Sequence, residues 1–356
     1  MLTFVSVPMD VCDILLTEAG GPVGCRVFRS LSRLGLRVAV CDSTDSGRRA
    51  LPPAPVRRRT CPPACERNYV RELRKIVAET GVRALLPVFY PDLIARNRAA
   101  FPGLLIPLDD AEKLALLDDK VRCSAWADSL GVLQPQRYRL PEEDLPGVPS
   151  VEQAHFPLVF KRASGHGGDS VYFPKSMAPL LHLAGNSAPG SYLITEEIAG
   201  EDVSVDALRW GDRFYAGAYR VLLPKAKGVS VLRESMVAPA LVSVVRKMLD
   251  SIDFQGVCGM DFRLGADGRF YFLECNPRFS GGLASQVASG FDVPALLWKA
   301  ACGEVLPADI AFKAGRRTLS LGGAWDYVKR RHKQGKLSAG DITALLFSFP
   351  RLVDEW

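Results

Sequence analysis

The residues best suited to chemistry lie between Val257 and Gly282, in VCGMDFRLGADGRFYFLECNPRFSGG. Two runs rich in aromatic and aliphatic residues flank Asp267-Gly268, a dipeptide that favours the two-residue loop of a β-hairpin. With those residues as the loop, Asp261 lies directly across from Glu274, and Asn276, two residues further on, shares that face. Pro277 has no N–H for a ladder and ends the strand. Facing like charges destabilise a strand pair, so two opposed acids point to a bound cation. Two carboxylates and a carboxamide suit magnesium, a hard ion that shares its ligands with substrate phosphates, and nothing nearby offers the Cys/His set of zinc. Arg278 follows closely, with the planar fork to grip a phosphoryl oxygen. The competing reading is an ordinary surface hairpin, and the other motifs of the chain weigh against it.

From Phe156 the chain reads FPLVFKR, then SGHGGDS, then VYF: strand, glycine-rich loop, strand. The loop joins two strands and so differs from a Walker loop, which opens a helix. Successive N–H groups from Ser164 to Ser170, with Gly165, Gly167 and Gly168 allowing close approach, can wrap phosphate oxygens. Lys161, on the incoming strand, supplies a point charge. A loop without function is the alternative, and His166 reads as solvated. Next, YLITEEIAGEDVSVDAL runs an apolar strand into Glu196-Glu197, turns at Ala199-Gly200 and alternates from Val203. Acids at such a boundary can accept from an adenine amino group or from ribose hydroxyls; an acidic surface turn is the alternative. Arg220, Lys225, Lys227 and Arg233 follow in a segment able to lie over phosphates, and the sequence does not rank them.

The elements that must hold these residues alternate along the chain. From Asp13 to Asp42 an apolar run, a glycine-bearing turn, a helical stretch and a second apolar run make a βαβ unit. Helical patterns at Tyr69–Thr80 and about Pro91–Ala100, a strand at Ala84–Val88 and the run Leu104-Leu105-Ile106 continue it, predicting a small doubly wound α/β domain. The turn Gly20–Gly24 lacks the glycine spacing of a dinucleotide fingerprint, although Asp42 stands where a ribose-binding acid would; it reads as packing the first helix. Asp110–Gly131 reads as one helix with Lys120 in its middle, equally placed for solvent or for a ligand. Gln134–Ser150, with four prolines, reads as a connector. The tail from Ala311 has helical and apolar stretches that either cover the core or form a dimer interface.

Composition bounds the function. With 356 residues, 48% hydrophobic, the chain can bury a large core in two or three subdomains. No apolar run reaches the ~18 residues of a membrane span and the N-terminus lacks signal-peptide regions, so a cytoplasmic protein is expected. Nine cysteines, an odd number scattered through strand-like segments, predict reduced thiols. Cys61 and Cys65 in CPPAC have no second pair to complete a zinc site. The basic clusters Arg57-Arg58-Arg59 and Lys329–Lys333 lack interleaved aromatics, which argues against nucleic acid, and the net charge of +6 suits phosphate and carboxylate ligands.

Taken in order, the motifs resemble the ATP-grasp superfamily, particularly its carbamoyl phosphate synthetase-like and carboxylate-amine ligase branches. The resemblance rests on DDK with its following helix and GV, FPLVFKRASGHGGDSVYF, ITEEIAGEDVSVDAL, and GMDFR followed by FYFLECNPRFSGG, over roughly residues 12 to 300. It implies a mixed α/β and α+β chain: an N-terminal Rossmann-like pre-ATP-grasp domain (1–110), a central subdomain with the glycine lid (111–190), a C-terminal subdomain with the metal site (191–305) and a helical extension (306–356). It further implies that Lys120 and Lys161 contact ATP phosphates, that the glycine loop closes over them, and that Glu196, Glu197 and Ile198 line the adenine pocket. Asp202 best matches the ribose-binding acid, with Glu201 as its rival. Asp261, Glu274 and Asn276 would hold one or two magnesium ions, or manganese, although Asp261 stands at a position more variable in the family. Arg278 would steady the transferred phosphoryl group or an acyl phosphate. The implied reaction joins a small-molecule carboxylate to an amine through an acyl phosphate, releasing ADP and phosphate. A carboxyphosphate or carbamoyl-type activity, or a nucleotide-binding scaffold without catalysis, are the alternatives.

Overall fold

The computed structural model describes residues 12–43, 58–165, 170–223 and 230–348, and in it the first apolar runs are buried parallel strands. β1 (Ile14–Thr17), β2 (Val38–Asp42), β3 (Arg58–Thr60) and β4 (Ala84–Pro87) pair in the order β3-β2-β1-β4, all parallel. Helix α1 (Gly21–Arg33) links β1 to β2, α2 (Tyr69–Thr80) links β3 to β4, α3 (Pro91–Arg96) follows β4, and one apolar cluster covers each face of the sheet. Coverage on both sides explains why every β1 residue is buried. The glycine turn does pack the first helix: a Cβ at Gly24 would stand 2.0 Å from the Ala19 carbonyl oxygen. Leu104–Ile106 makes only a single bridge, Leu105 to Ala84, where a full strand was expected. None of the nine cysteines forms a disulfide among the described residues; Cys61 is buried while Cys65 is exposed.

The stretch expected to be one helix is two, α4 (Ala111–Asp118) and α5 (Lys120–Ser129). Asp119 stands at the break, and its carboxylate accepts the N–H groups of Val121 and Arg122. An aspartate that caps a new helix competes with continuation of the old one, so Lys120 is the first residue of α5 and not mid-helix. Beyond it, β5 (Arg137–Tyr138), β6 (Leu158–Arg162), β7 (Val171–Tyr172) and β8 (Tyr192–Glu196) form an antiparallel sheet, β5-β8-β6-β7, with α6 (Met177–Gly185) between its last two strands in sequence. β5 lies inside the proline-rich stretch read as a connector. The glycine-rich loop joins β6 to β7; Gly167 and Gly168, with His166, lie outside the described residues.

The largest sheet is antiparallel throughout: β9 (Gly200–Trp210), β10 (Arg213–Leu223), β11 (Leu232–Met236), β12 (Gly256–Gly265), β13 (Phe270–Asn276) and β14 (Arg317–Leu319), in the order β13-β12-β9-β10-β11-β14. One face is apolar. Val203, Val205, Met260, Phe262, Phe272 and Cys275 bury against α4, α5 and α7 (Pro239–Ser251). Each large side chain buried this way contributes about 1.5–3 kcal/mol, so a one-residue slip of these strands is heavily disfavoured. The other face is therefore fixed as polar near the β12–β13 end. After α8 (Leu283–Ala288) and α9 (Val293–Ala301), the tail forms α10 (Leu321–Lys333) and α11 (Ala339–Ser348). It covers the far end of this sheet, where Leu319 and Tyr327 are buried with Leu223, Val231 and Leu232. Among the described residues no helix is long and apolar enough to cross a membrane.

Candidate active site

The hairpin forms, with a difference in its loop. Gly265 N–H bonds to the Arg269 carbonyl at 2.9 Å, closing a three-residue loop in which Gly268 sits at φ +77, where a two-residue loop was expected. The strands leave this loop with Leu264 facing Phe270 and Phe262 facing Phe272. A bulge then intervenes, and beyond it Asp261 faces Glu274 and Gly259 faces Asn276. The extra residue is Leu273. It resets the alternation of β13, so that Phe272 and Cys275 enter the apolar core while Glu274 and Asn276 lie on the polar face with Asp261.

Two lysines converge on this edge. Lys120, 7% exposed, donates from Nζ to the Gly165 carbonyl at 2.9 Å and stands 3.7 Å from Glu274 Oε2. Its backbone N–H bonds to the Ala163 carbonyl, so the start of α5 is tied twice to the root of the glycine loop. Lys161, 6% exposed, donates to the carbonyl of Leu273, the bulge residue, at 3.3 Å. Burial lowers the Lys161 pKa, and the Lys120 charge adds to that, while Glu274 and Asp261 pull it back up. In the described part of the loop Ser164 is exposed, and Gly165 adopts φ +131 with Ser170 packed so close that a Cβ at 165 would lie 2.7 Å from its Oγ. Ser170 Oγ is buried without a partner.

At the end of β8, Glu196 accepts the Gln136 N–H at 2.8 Å and its own N–H bonds back to the Gln136 carbonyl, leaving Glu197 exposed and Ile198 half-buried beyond the strand. The register of β9 separates the two rival acids. Asp202 faces Arg263 of β12 and pairs with it at 3.1 Å, on the face that carries Asp261; Glu201 turns to the opposite face and pairs with Arg220, also at 3.1 Å. Arg220 is thereby directed away from the acids, while Lys225 and Lys227 lie outside the described residues.

Arg278 is held by Asn276, whose Oδ1 accepts from Nη2 at 3.1 Å, by the Phe279 carbonyl at 3.2 Å, and by the ring of Phe89, with Cζ 5.2 Å from its centroid. Burial lowers its pKa against the opposing charges of Asp118, Asp261 and Glu274. Its Nε is buried and unpartnered. Sequence reasoning named Arg233 without ranking it and did not single out Asp206 at all; alternation across LRESM puts Arg233 and Ser235 on one side without saying which face that side joins. The donor set fits magnesium. Among the described residues no group of three His, Cys, Asp or Glu side chains gathers, and two carboxylates with one amide oxygen leave room for phosphate and water ligands.

Residues 189–321 match the family described as ATP-grasp in the biosynthetic pathway with Ter operon. No curated protein sequence matches the chain. Among solved structures, the biotin carboxylase domain of Hydrogenobacter thermophilus 2-oxoglutarate carboxylase, in complex with MgADP, ADP and bicarbonate, superposes with a TM-score of 0.69 at 16% identity, covering 86% of this chain and 73% of that one. An L-amino acid ligase from Bacillus licheniformis gives 0.61 at 16% identity, over 81% and 74%. N5-carboxyaminoimidazole synthase from Aspergillus clavatus, in complex with ADP and its aminoimidazole ribonucleotide, gives 0.64 at 16% identity, over 85% and 80%. The chain therefore has the ATP-grasp fold, and its residues 189–321 match an ATP-grasp family.

Proposed function

We propose that the chain is an ATP-dependent carboxylate–amine ligase that forms an amide through an acyl phosphate and releases ADP and phosphate. The observation that carries this reading is the convergence of two buried lysines and Arg278 on the edge holding Asp261, Glu274 and Asn276, with no nucleophilic side chain among them. Phosphoryl transfer needs mainly positioning and charge neutralisation, and this set supplies both. Lys120 and Lys161 hold ATP phosphates, Asp202 takes the ribose, and the backbone after Glu196 lines the adenine. Arg278 steadies the developing acyl phosphate with its unpartnered Nε. Asp261, Glu274 and Asn276 would hold magnesium, which would neutralise phosphate charge there. The ion pair between Lys120 and Glu274 keeps the lysine beside that edge before nucleotide arrives.

The test is ADP release over pooled carboxylic acids, amino acids and amines with magnesium, with hydroxylamine added to trap an acyl phosphate as its hydroxamate. ADP that appears only with a carboxylate supports the ligase. ADP release with bicarbonate alone supports the carboxyphosphate reading instead, and no stimulated release under any mixture supports a nucleotide-binding scaffold.

A further inference from the structure

The polar face of the large sheet carries a second charged cluster that the reaction above does not use. Arg233 and Asp206, 5% and 2% exposed, form an ion pair with Nη2 3.5 Å from Oδ2. Nη2 also donates to Ser204 Oγ, and the guanidinium lies over the Tyr219 ring at 4.7 Å. A buried ion pair recovers its desolvation cost only when the remaining polar atoms are also satisfied. Here two are not: Arg233 Nε, a donor, and Asp206 Oδ1, an acceptor, are both buried without a partner.

The neighbours show where these groups point. A Cβ at Gly259 would stand 2.9 Å from Asp206 Oδ1, and a Cβ at Gly282 would fall 1.0 Å from Arg233 Nη1. Oδ1 is thus aimed over the β12 glycine, and the chain just after Arg278 lies against the guanidinium. In the ladder Asp206 faces Gly259, and Gly259 faces Asn276. With adjacent strands about 4.8 Å apart, the backbone of Asp206, two strands over, lies roughly 10 Å from that of Asn276, the span of one small molecule.

We propose that Arg233 and Asp206 form the acceptor subsite and that the amine substrate is a free α-amino acid. Its carboxylate is taken by the Arg233 guanidinium and its ammonium by the Asp206 carboxylate. A zwitterion brings one acceptor group and one donor group, the complement of the two unpartnered atoms, and adds no net charge to a buried, neutral pair. A simple amine or a simple carboxylic acid satisfies one atom and leaves the other unmet. This assignment rests on the ligase reading and names the class of its second substrate.

The test titrates the full chain, loaded with magnesium and a non-hydrolysable ATP analogue, with each proteinogenic L-amino acid, with its α-amide and with the matched desamino acid. At least one amino acid is expected to bind, with its amide and desamino counterparts weaker by about 100-fold or more, because a site built for a polar group rejects the ligand that lacks it. Arg233→Lys is expected to weaken that binding at least about tenfold while leaving analogue affinity in place, since the fork and not the charge is lost. No amino-acid binding, equal binding of the amides, or full affinity in Arg233→Lys overturns the subsite; if that variant does not fold, the amide and desamino series on the wild type decides. ADP release with the same ligands separates the two readings. Amino-acid binding with no carboxylate-dependent ADP sinks the ligase and leaves the subsite standing, whereas turnover with simple amines at the amino-acid rate sinks the subsite and leaves the ligase.

Discussion

Lys161 donates its Nζ hydrogen bond to the carbonyl of Leu273, the residue that the β12–β13 bulge leaves without a facing partner. One irregularity therefore does two jobs. It turns Glu274 onto the polar face, and it frees a backbone acceptor that fixes a buried ammonium group beside that acid.

Lys161→Met tests the phosphate role with little change in volume. The variant loses the point charge, and the Leu273 carbonyl loses its donor, so both nucleotide affinity and stability fall. Affinity for MgATP is expected to drop by about tenfold to a hundredfold, the ~1.5–3 kcal/mol of a charge-assisted hydrogen bond. Calorimetry reads this directly, and unchanged affinity removes Lys161 from the nucleotide site.

Glu274→Ala is expected to abolish ATP turnover and to leave the fold in place. The side chain faces Asp261 and stands 3.7 Å from Lys120, so its removal takes away a proposed metal ligand but also relieves facing like charges. Melting temperature should change by only a few degrees while magnesium-dependent nucleotide binding is lost. Wild-type turnover in this variant refutes the metal assignment.

The hairpin shows how far the sequence could be read. Asp267-Gly268 marked the turn, and the pairing of Asp261 with Glu274 followed from assuming a two-residue loop. The loop has three residues, and the pairing survives because Leu273 compensates one residue later. Nothing in FLECN distinguishes a bulged leucine from a regular one; the bulge is fixed by tertiary demands, Phe272 on Phe262 in the core and Glu274 on the far face. The break at Asp119 was legible in principle, since aspartate before a helical run is a capping signal, but the flanking helical pattern masked it. Arg233 could not be ranked because its partners, Ser204 and Asp206, come from a strand two places away in the sheet.

Gly200→Ala probes how closely β9, which carries the proposed ribose-binding Asp202, must approach β12. A Cβ there would stand 2.0 Å from the Leu264 carbonyl oxygen, a backbone atom that moves only with β12. Overpacking of this kind costs about 1–3 kcal/mol and shifts the strand that carries Asp202. The variant is expected to melt lower and to show a raised KM for ATP; an unchanged KM indicates that β9 does not position the nucleotide.

Glu18 gives the N-terminal sheet a pH dependence of definite sign. It follows β1 at φ +46, its carboxylate accepts from Thr17 Oγ1 at 2.5 Å and from Tyr69 OH, and burial raises its pKa from 4.5 to about 7. The folded state therefore holds the proton more tightly than the unfolded chain. Its contribution is fully present below pH 4.5, declines as pH rises and is lost above about 7, a change of at most about 3 kcal/mol. In Glu18→Gln the amide stays neutral, still accepts from Tyr69, and turns its NH2 group to the Thr17 hydroxyl, which can accept. The wild type should lose melting temperature between pH 5 and pH 8 relative to Glu18→Gln, with the variant the more stable at pH 8. Parallel pH profiles for the two proteins would show that Glu18 is ionised alike in the folded and unfolded chain.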